Sequence, residues 1–468
     1  MRIAHVMRRL SFDDWGGTEQ VVWNLAKAQK AAGHEVRIFA TTALWRGGAS
    51  ATKDTKSTKK PLWPLCSLWQ RKVPVAEIVD GIEILRFRPI YPWWPMPKRI
   101  VAELDRKGGN PFVPGLGKAL RDWQPDVIHC HAMARIAELC VRTAERMSHA
   151  EGRKSSGCRS STVERPSSSS TKCVISLHGG GANVPGEEAK SLKAPTRGRV
   201  PWGKMIDYAL GWTRRIPEDA DGIVCVGEDE AEKYKTRHPH VLFLPNGVDT
   251  RLFENVKWRM ENVKWKMEED SNLHSSFSIL HSPFPIPRSP FSILCVARID
   301  RQKSQMMLVE LLARYPGATL RLVGPVTQPD YLAELEARAT ALGVADRLTV
   351  VGALKPSSPE LVREYRKADV FILPSRHEPF GIVVLEAWAA GVPVIASDVG
   401  GLGRLCAAHP QAALTFPCGD QDTLEKVLAR LMSDRQLKES LSNAGKAAAA
   451  TYDWQNLAVK LIGFYGQI

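Results

Sequence analysis

Two glutamates, Glu378 and Glu386, lie eight residues apart, and the turn Pro379-Phe380-Gly381 directly follows the first. The apolar run after this turn predicts a helix from Ile382 to Ala390 that ends at a Gly-Val-Pro stop signal. The next β-branched run predicts a buried parallel strand. The helix N-terminus would direct backbone N–H groups toward phosphate, and a nearby carboxylate can bind hydroxyls. A nucleotide sugar carries both kinds of group.

The spacing of the two glutamates limits what they can do together. Eight residues of helix span roughly 12 Å, whereas the paired carboxylates of glycosidases lie about 5–9.5 Å apart. The glutamates are therefore predicted to hold two parts of a long ligand rather than to flank one bond. Without the turn between them, a surface glutamate and an ion-paired helix glutamate would be the simpler interpretation.

Five further segments occur in a fixed order along the chain. They are Gly16-Gly17-Thr18, Asp126–His131, Leu177–Gly180, Pro245–Asp249, and Val296-Ala297-Arg298 with Lys303. Together with the glutamate segment they resemble the retaining glycosyltransferases of family 4, and the resemblance covers nearly the whole chain apart from insertions. It implies an α/β fold with GT-B architecture, in which two Rossmann-like doubly wound parallel-sheet domains face each other across a cleft.

The alternation of short β-branched runs with helical segments also predicts parallel sheets. The predicted strands are Ile3–Met7, Val36–Thr41, Ile82–Arg86, Val127–His129, Val174–Leu177, Gly222–Val226, Val241–Leu244, Ser292–Val296, Thr319–Val323, Leu348–Val351, Val370–Leu373 and Val394–Ser397. Ligands of such sheets bind at the carboxyl ends of the strands. Five candidate residues fall at those ends or just beyond: His131, His178, Arg298, Gly324 and Glu378.

The predicted domains are an acceptor-side domain at 1–250, a nucleotide-sugar-binding domain at 291–450, and a helix at 451–468 that returns to the first domain. The Ser-rich stretch 151–172 predicts a disordered loop. Residues 254–290 contain a tandem repeat, Glu254–Met260 followed by Glu261–Met267. We interpret them as a repeat-derived insertion in the linker, where added length is tolerated.

The family resemblance assigns a role to each charged candidate. Arg298 and Lys303 would neutralise the departing diphosphate, a task that a metal ion performs in other enzymes. Glu386 would hold the ribose hydroxyls, Glu378 a hydroxyl of the transferred sugar, and His178 would reach that sugar near the reaction centre. Without the resemblance, Arg298 and Lys303 would be read as a solvated pair at a strand end.

The other donor-binding candidates act through their backbone: Phe380, Gly381, Ile382, Gly324, Gly16 and Gly17. The two adjacent glycines would let the backbone approach the diphosphate or the acceptor closely, although the pair would equally suit a tight turn. The resemblance further implies transfer with retention. The acceptor hydroxyl attacks from the face that the diphosphate leaves, and its proton passes to the leaving phosphate oxygen.

Metal chemistry is not expected from the sequence. His129 and His131 share one side of an extended strand and could bind zinc, but no third ligand is evident, so His131 is assigned to the acceptor side of the cleft. Asp219-Ala220-Asp221 imitates an Asp-x-Asp metal motif but immediately precedes a predicted strand, which indicates a turn. We therefore predict neither a metal ion nor a cofactor.

The charge of the chain is concentrated in its first part. Residues 1–175 contain 29 lysines and arginines against 16 acidic residues, whereas the remainder contains 35 against 34. This excess predicts an anionic partner, such as a lipid-linked or glycan acceptor or a membrane surface. The segment Pro89–Arg99 adds two tryptophans beside two cations, which could equally form a Pro-rich loop packed on the domain. Nucleic acid is not expected, because no recognition motif accompanies the charge.

The remaining features favour a cytoplasmic enzyme. The chain opens with a strand-like run and lacks an apolar segment of membrane-spanning length, and its nine cysteines include no Cys-x-x-Cys pair. The glycine pattern of a dinucleotide-binding oxidoreductase is missing at Gly16-Gly17. A GT-B sugar-nucleotide epimerase and an inactive membrane-associated homologue are the alternatives. The sequence does not identify the donor sugar, its base or the acceptor.

Overall fold

The computed structural model describes residues 1–12, 17–43, 75–90, 111–133, 135–154, 170–178, 216–254 and 291–468. Gly16, residues 155–169 of the Ser-rich stretch, the predicted insertion after Glu254 and the Trp93-Trp94 segment lie outside these residues. The two ends of the predicted loop 151–172 are ordered instead, because 151–154 end a helix and Lys172 begins a strand. The described chain forms two compact units, Met1–Pro245 with Leu457–Ile468, and Asn246–Asn456.

The first unit contains an eight-stranded sheet in the order β3-β4-β2-β1-β5-β6-β7-β8. Its strands are β1 (Arg2–Arg9), β2 (Glu35–Thr41), β3 (Val75–Val79), β4 (Ile82–Phe87), β5 (Val127–Cys130), β6 (Lys172–Leu177), β7 (Gly222–Cys225) and β8 (Val241–Phe243). Its helices are Gly17–Ala31, Leu116–Trp123, Arg135–Lys154 and Glu228–Lys235. Every residue of β5 and β7 is buried, as expected for central strands covered on both faces.

One strand of this sheet departs from the predicted all-parallel arrangement. No strand was predicted between Thr41 and Ile82, so β3 is an additional strand of this sheet. It pairs antiparallel with β4 at the sheet edge, whereas the other pairs are parallel. The two strands are joined by Asp80 and Gly81, which both have positive φ angles, of 49° and 71°.

The second unit contains a six-stranded parallel sheet in the order β11-β10-β9-β12-β13-β14. Its strands are β9 (Phe291–Val296), β10 (Ala318–Val323), β11 (Leu348–Gly352), β12 (Val370–Leu373), β13 (Val394–Asp398) and β14 (Ala413–Pro417), the last of which was not predicted. Its helices are Arg251–Glu254, Met306–Arg314, Pro329–Ala341, Pro359–Lys367, Ile382–Ala389, Gly400–Ala408, Gln421–Ser433 and Arg435–Thr451.

The last helix, Trp454–Tyr465, passes from the second unit into the first. Its end packs on the sheet of the first unit, where a Cβ at Gly222 would lie 2.9 Å from a ring carbon of Phe464. Tyr465 is 4% exposed, so its hydroxyl must find a partner within the protein. Among the described residues, none of the helices combines the length and apolar composition that a membrane span requires.

Candidate active site

The turn that carries Glu378 lies between β12 and the helix Ile382–Ala389. Gly381 occupies the N-cap position with a φ of 94°, a left-handed conformation that favours glycine. No side chain caps this helix, and the N–H of Val384 already bonds to Gly381 O at 2.9 Å. The preceding N–H groups of the first turn therefore have no acceptor within the helix and can receive an anion.

A second glycine pair, Gly400 and Gly401, supports this turn from the adjacent segment. The N–H of Gly401 donates to Glu378 O at 3.1 Å. A Cβ at Gly401 would lie 1.8 Å from Pro379 O, so only glycine fits here. Sequence reasoning did not assign this role, because only the packing of the two loops reveals it.

Lys303 and Glu378 form an ion pair at the carboxyl ends of their strands. Lys303 Nζ lies 2.7 Å from Glu378 Oε2 and 3.2 Å from His377 O. The two side chains are only 11% and 16% exposed, so solvent screens their attraction less than at an open surface. The structure thus brings together two of the four residues predicted to be catalytic.

Asp300 organises the segment that holds Arg298 and Lys303. Its carboxylate accepts a hydrogen bond from Gln302 N at 2.9 Å and so caps the short 3₁₀ turn that ends at Lys303. Its second oxygen lies 3.4 Å from Arg298 Nη1. Gln305 Nε2 donates to Arg298 O at 2.7 Å and holds the backbone of that residue. An Asp directly before a helical turn is a capping signal that could have identified Asp300 from the sequence.

Glu386 is fixed by a partner that the sequence did not indicate. It is 7% exposed, and Tyr365 donates its hydroxyl to Glu386 Oε2 at 2.7 Å. Burial and the adjacent carboxylate raise the pKa of Tyr365, which keeps the phenol protonated as a donor. The carboxylate is therefore oriented before any ligand arrives.

The structure gives Gly324 and Phe380 roles that do not require a ligand. A Cβ at Gly324 would lie 2.0 Å from Ala297 O, so this glycine allows the ends of β9 and β10 to pack closely. The Phe380 ring lies 6.2 Å from the Tyr452 ring, edge to face. Ile382 begins the helix after Gly381.

Four histidines cluster on three neighbouring strands, with His5 within β1, His129 within β5, and His131 and His178 just beyond the carboxyl ends of β5 and β6. His131 Nδ1 lies 3.1 Å from His178 Nε2, and His131 Nε2 lies 2.9 Å from His5 Nδ1. His5 Nε2 continues to Gln29 Oε1 at 2.6 Å. His129 lies beside this series, between Tyr465 Oη at 2.6 Å and Ser176 Oγ at 2.7 Å.

His5 is the third imidazole that could not be identified from the sequence. One nitrogen of each of His5, His129 and His131 lies within 4.8 Å of the others, a spacing that could hold a metal ion. Both nitrogens of each ring, however, already have a hydrogen-bond partner in the protein. The arrangement is therefore a closed hydrogen-bond network rather than an open set of ligands.

Burial keeps these rings neutral. It lowers the pKa of His5 to about 4 and the pKa values of His129 and His131 well below the usual 6.5, with the neighbouring histidines adding to the effect on the latter two. Burial also lowers the pKa of His178. Each ring then offers one donor and one acceptor.

The first unit is expected to lose stability on acidification from pH 6.5 to pH 4. In this range the unfolded histidines take up protons, whereas the buried neutral rings do not, so protonation favours the unfolded state. His5 alone would contribute on the order of 3 kcal/mol across the window. Denaturant unfolding from pH 7 to pH 4 measures the loss, and His5→Gln should flatten the slope. An identical slope in that variant would refute the assignment.

The remaining candidates of the first unit have simpler surroundings. Gly17 begins the helix Gly17–Ala31, and a Cβ there would meet no other atom within 4 Å among the described residues. Asp221 accepts a hydrogen bond from Cys173 N at 2.7 Å, next to the backbone pairing of β6 with β7. This contact is the expected one for a turn that leads into a strand.

Two family models match the chain. The model described as glycosyl transferase 4-like domain matches residues 16–247, and that described as glycosyl transferases group 1 matches residues 277–448. The second match begins within the segment 254–290 that we interpreted as an insertion.

Relatives and solved structures agree with these matches. A D-inositol 3-phosphate glycosyltransferase of Jonesia denitrificans is 36% identical over 181 residues, 37% of this chain and 42% of the relative. The match thus spans about two fifths of that relative. A GDP-mannose-dependent alpha-(1-6)-phosphatidylinositol monomannoside mannosyltransferase of Mycobacterium tuberculosis is 29% identical over 291 residues, 59% of this chain and 69% of the relative.

Among solved structures, sucrose-phosphate synthase of Thermosynechococcus elongatus has a TM-score of 0.60 at 20% identity, covering 100% of this chain and 98% of that chain. HepE of Anabaena in complex with UDP-glucose has a TM-score of 0.58 at 16% identity, with both chains fully covered. At these identities, the two structural similarities show the fold alone. Since the two family models together extend over most of the sequence and each unit has a largely parallel α/β sheet as in the GT-B fold, this chain belongs to glycosyltransferase family 4.

Proposed function

We propose that this protein transfers a hexose-type sugar from a nucleotide-sugar donor to an acceptor hydroxyl, with retention of the anomeric configuration. The observation that carries the proposal is the ion pair of Lys303 with Glu378, 2.7 Å apart beside the uncapped N-terminus of the helix Ile382–Ala389. Cations and free N–H groups suit a diphosphate, and a carboxylate suits a sugar hydroxyl. All of these groups lie on one unit of the chain.

Each group has a role in the proposed reaction. Lys303 and Arg298 stabilise the negative charge that grows on the departing diphosphate. Glu378 binds a hydroxyl of the transferred sugar, and Glu386, already oriented by Tyr365, binds the ribose hydroxyls. The acceptor oxygen attacks on the same face, and its proton moves to the leaving phosphate oxygen. No step requires a metal ion or a cofactor.

The acceptor belongs to glycan, polysaccharide or lipid-linked synthesis in this proposal. The names of two relatives include an inositol compound, so D-inositol 3-phosphate is a suitable first probe. The basic first part of the chain would favour a phosphorylated or membrane-borne acceptor at the cytoplasmic face. If the protein stayed unbound to anionic liposomes at low salt in a flotation assay, the peripheral-membrane part of the proposal would fail.

Calorimetry with UDP-, GDP- and ADP-sugars, and with the free nucleotides as controls, tests the proposed function. We expect one donor class to bind in the micromolar range and Glu386→Ala to weaken that binding at least tenfold, since a charge-assisted hydrogen bond is lost. Turnover of that donor with added acceptor should survive EDTA. Binding without any transfer would favour the inactive homologue, and conversion of the donor without an acceptor would favour the epimerase.

A further inference from the structure

A branched chain of hydrogen bonds connects His178 with two helices of the first unit. Its links measure between 2.6 and 3.4 Å, and its members are His178, His131, His5, Gln29, Tyr465, His129 and Ser176. Apart from His178, each of these side chains belongs to a residue that is at most 7% exposed. Water therefore has little access to replace a broken link, and the loss of one link would leave a buried polar group unpaired.

The contacts of Gln29 set the direction of the first branch. Gln29 Oε1 can only accept, so His5 Nε2 carries the proton of that bond. His5 Nδ1 then accepts from His131 Nε2. His131 Nδ1 in turn accepts from His178 Nε2, which leaves the lone pair of His178 on Nδ1.

The second branch starts from the other end of the same amide. Gln29 Nε2 donates to Tyr465 Oη at 3.4 Å, and the Tyr465 hydroxyl donates to His129 Nδ1 at 2.6 Å. His129 Nε2 then donates to Ser176 Oγ at 2.7 Å. Rotating the Gln29 amide by a half turn would reverse every bond in both branches and place the proton of His178 on Nδ1.

We propose that Gln29, His5 and His131 are positioning residues that hold His178 as the Nε2–H tautomer, so that its Nδ1 accepts a hydrogen bond from a hydroxyl of the transferred sugar. This role at the sugar rests on the proposed function, whereas the tautomer depends on the hydrogen-bond chain and on the orientation of the Gln29 amide within it. A neutral acceptor suits a reaction centre at which positive charge develops, because an imidazolium there would raise the barrier. Gln29 lies on the buried face of its helix, far from His178 in sequence.

Histidine-selective ¹⁵N labelling of the full-length protein tests the tautomer without any substrate. The nitrogen shifts distinguish a protonated from an unprotonated ring nitrogen, and the signals of His178 are assigned by their loss in His178→Gln. We expect Nε2 to be protonated and Nδ1 unprotonated in the wild type. In Gln29→Met, which has similar volume but neither amide group, we expect both tautomers of His178 to be populated.

Steady-state kinetics of the same variants test whether the tautomer of His178 matters for sugar transfer. Gln29→Met should lower kcat by about 10- to 100-fold, the range for losing a group that orients a functional histidine, with a smaller change in the donor KM. Tyr465→Phe is a second variant in which the ring packing remains while the hydroxyl that accepts from the Gln29 amide and donates to His129 is lost. Tyr315→Phe is its matched control, since it also removes a buried hydroxyl bond, to Glu425 O at 3.1 Å, but lies outside the chain.

The ¹⁵N and kinetic results distinguish a wrong tautomer, general destabilisation and a wrong proposed function. A wild-type His178 protonated on Nδ1, or ¹⁵N shifts of His178 unchanged in both Gln29→Met and Tyr465→Phe, would overturn the proposal. Equal kinetic losses in Tyr465→Phe and Tyr315→Phe would also overturn it, because they would indicate general destabilisation. If the wild type transfers no sugar, the proposed function fails, and the ¹⁵N result still decides the tautomer.

Discussion

Replacing Lys303 with methionine is expected to lower kcat by about 10²- to 10³-fold, as the loss of one group that stabilises transition-state charge does. The change removes the cation that Glu378 contacts at 2.7 Å and keeps most of the aliphatic volume. Because Lys303 is proposed to stabilise the charge that grows on the departing diphosphate, its loss should change the donor KM less than kcat. Steady-state kinetics with the donor identified by calorimetry measures both.

The loss of the ion pair must be separated from the loss of catalysis. Lys303→Met leaves a shielded carboxylate without its counterion, and Glu378→Gln leaves a shielded ammonium, so each single variant should lose about 1–3 kcal/mol of unfolding free energy. The double variant should be less destabilised than the sum, while its kcat stays low. A kcat near that of the wild type in Lys303→Met would remove this residue from the reaction.

Lys438→Met is the matched control for Lys303→Met. Lys438 Nζ lies 3.0 Å from Asp369 Oδ1, again within the second unit and partly shielded from solvent. Its loss should lower the free energy of unfolding by less than about 1 kcal/mol and leave kcat unchanged. If both lysine variants lowered kcat equally, the effect of Lys303→Met would be one of stability and not of charge at the diphosphate.

The sequence located the central strands because they are buried on both faces and therefore apolar throughout. The edge strand β3 lacks this signal, since three of its five residues are exposed. The Asp80-Gly81 pair before β4 was the available signal, because Asp-Gly favours the two-residue turn of a hairpin. Only the second strand of this hairpin, which begins at Ile82, was predicted.

The candidate site was predictable where its residues are neighbours along the chain. Glu378, Gly381 and the start of the following helix form one local unit, and its turn could be read from residue types. The contact between Lys303 and Glu378 depends instead on β9 lying next to β12, which residue spacing does not reveal. The support from Gly401 likewise requires knowledge of which loop packs on which.

The hydrogen-bond chain of the histidines likewise could not be predicted from residue spacing. His5 and His129 are register partners on β1 and β5, so their proximity follows from strand order and could not be inferred from their distant positions in the sequence. Tyr465 reaches the same cluster from the last helix. A sequence motif could identify His178 and His131 individually, but the connection between them required the sheet.

Gly401→Ala is expected to abolish most transfer while leaving the two cores folded. The added Cβ would lie 1.8 Å from Pro379 O, 2.6 Å from Pro379 C and 3.2 Å from Phe380 Cα. All three are backbone atoms, so a change of side-chain rotamer cannot relieve the clash and the turn itself must shift. The N–H of Gly401 that donates to Glu378 O would move with it.

Such a shift of the turn would move groups that take part in the proposed reaction. The turn carries Glu378 on one side and the uncapped helix start at Gly381 on the other, so both the sugar and the phosphate contacts would be misplaced. Misplacement by about 1 Å can cost about 10²-fold in rate, and we expect kcat/KM to fall by at least that factor. Calorimetry should show weakened donor binding, whereas the circular dichroism spectrum should remain that of the folded protein.

Gly463→Ala provides the control for a glycine substitution that meets no obstacle. A Cβ there has no atom within 4 Å among the described residues, and the residue lies inside the helix Trp454–Tyr465. Alanine should raise stability by about 0.5–1 kcal/mol and leave the kinetics unchanged. If Gly401→Ala behaved in the same way, the turn would tolerate displacement, and a preorganised Glu378 could not be the basis of catalysis. A selective loss in Gly401→Ala would instead show that the second glycine pair holds the donor-binding turn in its reactive geometry.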